Sequence, residues 1–321
     1  MNPYDPPAWL RNRHVQSILA SLKLRRPFVQ RRAKAMLEHS KSVILSCPDG
    51  TRLEGKYSRN ERTNRSLAIL IHGWEGSADS IYIVSAAGYL YARGLDVFRL
   101  NLRDHGNTHH LNRGLFHCCR LDEVVGAIQC IARMFPHDRL FLGGFSLGGN
   151  FTLRVAARAP EHNIRLDRAV AISPVIDPAK AMAAMETGGS MYHGYFMKKW
   201  RKSLAQKRRC FPQMDFGDLK QHKTITELTA FLTSRFTRFP DTASYYKGYT
   251  LTEEWLRGLK VPAHIIASLD DPVIPAEDST ALAHSDFLTV ENTRFGGHCG
   301  FLKNWRFHSW AEERMADLFF A

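Results

Sequence analysis

The sequence predicts an α/β fold: a mostly parallel central sheet with helices on both faces. Three observations carry that expectation. Apolar runs of strand length at residues 67–71, 97–102, 140–145, 169–173 and 264–269 alternate with helical patterns at 80–93, 121–135, 149–159 and 304–320. Such alternation returns the chain through a covering helix to a parallel neighbour. The runs are mostly apolar, as expected of strands covered on both faces. The third observation is local. Residues 140–145 end in Gly144-Phe145-Ser146-Leu147-Gly148 and pass directly into the helix-like stretch 150–159.

Taken in order, residues 43–58 read as an antiparallel hairpin turning at Pro48-Asp49-Gly50. The run 67–71 ends in His72-Gly73-Trp74-Glu75-Gly76. After the strand 169–173 the rhythm breaks: residues 176–259 are long, rich in Met, Lys, Arg and aromatics, and lie between two core strands. A structureless loop of that length is out of keeping with a compact domain, so helices are expected there, at 178–186, 195–208 and 226–234. The strand 264–269 leads into Asp270-Asp271-Pro272, followed by a helical pattern at 276–284 and a strand at 287–291. That strand feeds the loop Gly296-Gly297-His298-Cys299-Gly300. No internal repeat or low-complexity linker divides the chain, so residues 1–321 are expected to form one domain with 176–259 inserted in it.

The strand–turn–helix context makes Gly-x-Ser-x-Gly a nucleophile elbow, with glycines where side chains would collide and Ser146 pushed out above the strand end. A serine hydroxyl needs a base, and the base an orienting acid. His298, flanked by glycines after the right run of elements, is the candidate base. Asp271 is the candidate acid because the Asp-Pro-x-x-Pro pattern aligns with it; Asp270 and, after an earlier strand, Asp177 stay open as alternatives. Backbone N–H groups of Leu147 and Trp74 are the candidate oxyanion donors, and His72 is expected to order the loop.

These residues resemble the α/β-hydrolase superfamily and, more narrowly, its bacterial YheT-like branch, related to the eukaryotic ABHD1/ABHD3 group. The narrower likeness rests on the entry segment 7–18, Leu100-Asn101-Leu102-Arg103-Asp104-His105-Gly106, the elbow 143–150, Asp270-Asp271-Pro272, and Leu228-Thr229-Ala230-Phe231 with Tyr245-Tyr246. In that branch an acidic residue often follows the phenylalanine, where Leu232 stands here. The resemblance covers nearly the whole chain. It implies an α/β-hydrolase fold with a helical cap at 176–259 and ester hydrolysis without a cofactor, with acyl transfer to alcohols or attack on phospholipids in relatives. A small ester or a lipid is the expected substrate. Met182, Met185, Met191, Tyr192, Tyr195 and Phe196 are candidates for an acyl pocket, or else pack the cap onto the core.

Lys and Arg outnumber Asp and Glu by 44 to 31, giving +13, with basic clusters at 23–34 and 198–209. Such clusters suit an anionic membrane surface or simply a solvated face. Trp9, Leu10, Val15, Ile18, Leu19 and Leu22 either lie in a membrane interface or pack on the core. No recognition motif for nucleic acid accompanies the charge. The start lacks a basic n-region and an apolar h-region, so no secretory leader is expected. No run is long and apolar enough to span a bilayer. Six cysteines without Cys-x-x-Cys spacing fit a reduced, cytoplasmic protein. The cluster His105, His109, His110, His117, Cys118, Cys119 reads as loop residues ordering the rim of the site, with a metal centre as the lesser alternative. The functional alternatives to hydrolysis are acyl transfer and non-catalytic lipid binding.

Overall fold

The computed structural model describes residues 4–61, 65–187, 190–282 and 285–321, with the side chains of Ser190 and Met191 outside that description. Met191 as a pocket residue, and the last two residues of the helical pattern 276–284, therefore lie outside the described residues. Among the described residues, eight strands form one sheet: β1 (Ser40–Ser46), β2 (Arg52–Ser58), β3 (Ser66–Ile71), β4 (Asp96–Leu100), β5 (Arg139–Phe145), β6 (Arg168–Ile172), β7 (Ala263–Ser268) and β8 (Leu288–Thr293). Their order is β1-β2-β4-β3-β5-β6-β7-β8. The hairpin β1–β2 and the pair β2–β4 are antiparallel, and every later pair is parallel.

All six residues of β3 are buried because the sheet is covered twice. Ile69 and Ile71 pack in one core with Val125, Ile128 and Leu153 of the helices Leu121–Met134 and Leu147–Arg158. Ala68 and Leu70 pack in the other with Ile83, Ala87, Met315 and Phe319 of the helices Ile81–Ala92 and Trp310–Phe320. The period-2 alternation of the strand thus sorts one apolar run into two cores.

Two element boundaries differ from expectation. The last helix begins at Trp310 rather than at 304, because Asn304 Oδ1 accepts from the N–H groups of Arg306 and His308 and Phe307 takes φ 56°. The side chain offers the backbone a turn in place of a helix. The strand expected at 97–102 ends at Leu100, since Asn101 Oδ1 accepts from Ala78 N–H and Leu102 N–H donates to His72.

Between β6 and β7 the described residues form five helices: Pro178–Thr187, Ser190–Cys210, Ile225–Phe236, Thr242–Lys247 and Glu253–Arg257. The long cap helix Ser190–Cys210 is fastened by Lys207, fully buried, whose Nζ donates to Asp104 Oδ1 at 2.7 Å and to the carbonyls of Asn112 at 2.5 Å and Gly114 at 3.1 Å. At the other end of the chain the entry helix Arg13–Ser21, capped by Asn12, packs on the body of the molecule. Buried Gln16 donates to the carbonyls of Leu10 and Leu302 and accepts from Leu302 N–H.

Candidate active site

Ser146 follows the last residue of β5 and sits at φ 54°, ψ −118°, a region that L-residues with side chains enter only under strain. Its surroundings hold it there. A Cβ at Gly144 would meet the Gly148 carbonyl oxygen at 2.2 Å, and one at Gly148 would meet the Ile71 carbonyl oxygen at 2.2 Å. Glycine is therefore required at both positions, and Ser146 N–H donates to Ile172 O at 2.9 Å to tie the turn to β6. The helix Leu147–Arg158 starts at once, placing its N-terminus behind the hydroxyl.

His298 Nε2 lies 2.9 Å from Ser146 Oγ, and His298 Nδ1 lies 2.9 Å from Asp271 Oδ2. With Nδ1–H donating to the carboxylate, Nε2 is left to accept the serine proton. Asp271 is buried at the carboxyl end of β7, and its Oδ1 accepts from the N–H groups of Val273 and Ile274. Burial opposes charge on the imidazole, but the Asp271 carboxylate prevails and holds His298 well above the ordinary histidine value. Asp270 has a different place: its Oδ1 accepts from Gly297 N–H at 2.9 Å and supports the histidine loop. Asp177 caps the helix Pro178–Thr187 through the N–H groups of Ala179 and Lys180.

The loop after β3 runs beside the serine; a Cβ at Gly73 would sit 3.2 Å from Ser146 Cβ. Gly73 N–H donates to Tyr82 Oη at 3.0 Å. His72 bridges its own loop to the next, with Nδ1 at 2.7 Å from Gly73 O and Nε2 accepting from Leu102 N–H. Burial pushes His72 down to about 4, so it stays neutral and structural. His105 repeats the pattern, with Nδ1 against Arg103 O and Nε2 accepting from Glu75 N–H. The N–H groups of Trp74 and Leu147 have no acceptor among the described residues, and both residues line the same cavity as Ser146.

That cavity has a volume of about 890 Å³. Met182, Met185, Tyr192, Tyr195 and Phe196 line it, together with Leu232. Trp74 stacks on Phe196 at 5.2 Å between ring centres and meets Trp200 edge-on, so cap and core share one aromatic wall. The loop histidines serve that roof: His109 Nε2 lies 2.9 Å from Ser203 Oγ of the cap helix, and His117 packs edge-on against Phe239 and Tyr245. Among the described residues no three His, Cys, Asp or Glu gather as metal ligands. Cys299 lies beside the site at φ 59°, its N–H donating to Ser173 Oγ.

Several residues of the site have no role assigned to them by the sequence. Ser17 Oγ, on the entry helix, accepts from His298 N–H at 2.8 Å across 281 positions. Tyr82 is a helix residue with nothing to single it out. Glu75, inside the His72–Gly76 motif, takes φ 55°, and burial pushes its carboxyl up to about 7 against the pull of Lys199. Lys199 Nζ in turn donates to Glu75 O at 2.6 Å.

Comparison with known proteins follows this geometry. A family model described as the alpha/beta hydrolase fold matches residues 69–304. The chain is 25% identical over 324 residues to "Putative esterase YheT" of Escherichia coli (strain K12), covering 95% of this chain and 89% of that one. It is 24% identical over 208 residues to "Monoacylglycerol lipase ABHD2" of Danio rerio, covering 56% of this chain and 46% of that one. The structure of esterase Pf2001 from Pyrococcus furiosus superposes with a TM-score of 0.57 at 15% identity, over 87% of each chain, which is a likeness of fold.

Proposed function

The chain belongs to the α/β-hydrolase family, in its YheT/ABHD type, and from that premise we propose that it is a serine hydrolase of carboxylic esters working through an acyl-Ser146 intermediate. The observation that carries this reading is the unbroken line of hydrogen bonds from Ser146 through His298 to Asp271 above the carboxyl end of the sheet.

His298 takes the Ser146 proton as Oγ attacks the ester carbonyl carbon. Asp271 remains anionic and stabilises the imidazolium that forms. The negative oxygen of the tetrahedral intermediate is held by the N–H groups of Leu147 and Trp74, whose lack of other acceptors keeps them ready. Collapse expels the alcohol, which takes the proton from His298 and leaves the acyl group on Ser146. Water enters, gives its proton to His298 and attacks the acyl carbon, and collapse releases the acid and restores the serine. The strain at Ser146 suits this cycle, since it holds the hydroxyl forward without a search through rotamers.

The lining of the cavity supports a substrate class. Methionine, leucine and aromatic walls match an acyl chain of a lipid or medium-chain ester, and a space of this size falls in the range of small-ligand sites. The test is turnover of p-nitrophenyl esters from acetate to palmitate by the intact protein and by Ser146→Ala. Loss of about 10⁵-fold or more in kcat is expected for the variant. Equal turnover by both, or none of any ester by the folded intact protein, would reject the proposal.

A further inference from the structure

We infer that the face formed by residues 22–34 and the turn 305–307, which adjoins the cavity at Leu22, Lys23 and Arg26, is a docking surface for an anionic lipid bilayer. This goes beyond the proposed chemistry and does not depend on it.

Nine large apolar side chains are exposed among the described residues, and four of them belong to these two segments: Leu22, Leu24, Phe28 and Trp305. Leu24 is 63% exposed, and Trp305 is 71% exposed although one face of its ring stacks on Trp9 at 3.9 Å. Scattered apolar residues on a surface need no explanation, but these four share one rigid platform. Arg25 points inward instead, with Nη2 2.9 Å from Glu312 Oε1 and Nε donating to Phe307 O. Arg32 donates to the carbonyls of Arg306 and Phe307, and the Phe28 ring meets Phe307 edge-on at 5.3 Å. The two segments are thus fastened to each other while their apolar tips face outward.

The charge between those tips selects the partner. No acidic residue occurs between Asp5 and Glu38, whereas Lys23, Arg26, Arg31, Arg32 and Lys34 are exposed, with Arg306 beside them. Apolar tips set among cations match a bilayer's anionic headgroups above its acyl region. A protein partner would be met by a groove or a contiguous apolar patch, whereas here Leu22, Leu24 and Phe28 alternate along the chain with Lys23, Arg26 and Arg31. The position agrees as well. Leu22, Lys23 and Arg26 also border the cavity that holds Ser146, and Tyr195 and Lys202 of the cap helix border it too. A bilayer on this face would lie beside the wall of that cavity.

Vesicle co-sedimentation of the full chain tests this. Binding to phosphatidylcholine vesicles containing a quarter phosphatidylglycerol is expected to exceed binding to pure phosphatidylcholine by about tenfold or more, and to fall at high salt. Leu24→Glu with Phe28→Glu should reduce binding to anionic vesicles by about tenfold or more and leave p-nitrophenyl acetate turnover and the circular dichroism spectrum unchanged. Ser146→Ala should bind as the intact protein does, which separates docking from chemistry. Equal affinity for both vesicle types, no binding to either, or unaltered binding by the double variant overturns the inference. So does a dimer in sedimentation velocity that the double variant dissolves while vesicles are ignored.

Discussion

The end of the sheet that carries Ser146 and the cap above it are secured in different ways. At the elbow the chain is constrained by what cannot fit: a Cβ at Gly144 or Gly148 would collide with backbone, and Ser146 is confined to φ 54°. In the cap, a few polar contacts reach across long separations. Lys207 is buried against Asp104, and Asn150 of the elbow helix donates to the carbonyls of Val175 and Tyr249. Between those contacts the cap also packs by apolar side chains, Met197, Leu204, Phe216, Ile225 and Leu228 being buried in one core with the sheet. On the proposed function, chemistry would belong to the elbow and selectivity to the cap, a division that substitutions can test.

The sharpest test of the first region is Asp271→Asn, for which a fall in kcat of about 10⁴-fold is expected. The pH profile adds a sign. The base must be neutral to act, and His298 is held well above 6.5, so kcat/KM should rise with pH through a value above 6.5. In Asp271→Asn that ascending limb should move down. A limb at or below 6.5 in the intact protein would break the link between the carboxylate and the base. The same raised value stabilises the fold at pH below the unfolded histidine value, and that contribution is lost as pH rises through the folded one.

Lys207→Met addresses the cap. It strands Asp104 in the interior, and urea unfolding should show a loss of about 3–5 kcal/mol. Lys207→Met with Asp104→Asn should recover part of it. Equal stabilities in all three would mean that the pin contributes nothing. Next in size, Met185→Trp fills the cavity. Long-chain esters should lose about 10–100-fold in kcat/KM while acetate is turned over as before. A uniform loss across chain lengths would show that cap and chemistry are not separable. The smallest effect belongs to Ser17→Ala, which removes the acceptor of His298 N–H. A cost of about 1 kcal/mol is expected, read as a few-fold fall in kcat with KM unchanged.

Much of this site was legible because its signals are local. Gly144, Ser146 and Gly148 lie within one turn, and the three cap helices expected at 178–186, 195–208 and 226–234 correspond to longer helices at Pro178–Thr187, Ser190–Cys210 and Ile225–Phe236. Of the entry-segment residues open between membrane interface and core, Leu10 is buried, Trp9, Val15, Ile18 and Leu19 are half-buried, and Leu22 is exposed. Leu232, conspicuous in the sequence for not being acidic, proves to line the cavity. Lys207 stood in a run of basic residues with nothing to mark it as the buried one.

By itself the sequence determined the alternation of strands and helices, the elbow, and the histidine and aspartate pair that follow it. Each depends on spacing along the chain, on apolar periodicity and on the backbone freedom of glycine. Between Asp271, which the sequence favoured, and Asp270, the tertiary structure brings Asp271 to His298; it alone decided that Ser17 holds the histidine loop from 281 positions away and that Lys207 is a pin. Those outcomes rest on where side chains from remote segments converge. A serine in the entry helix and one lysine in a basic run carry no mark along the chain of the partner each will meet.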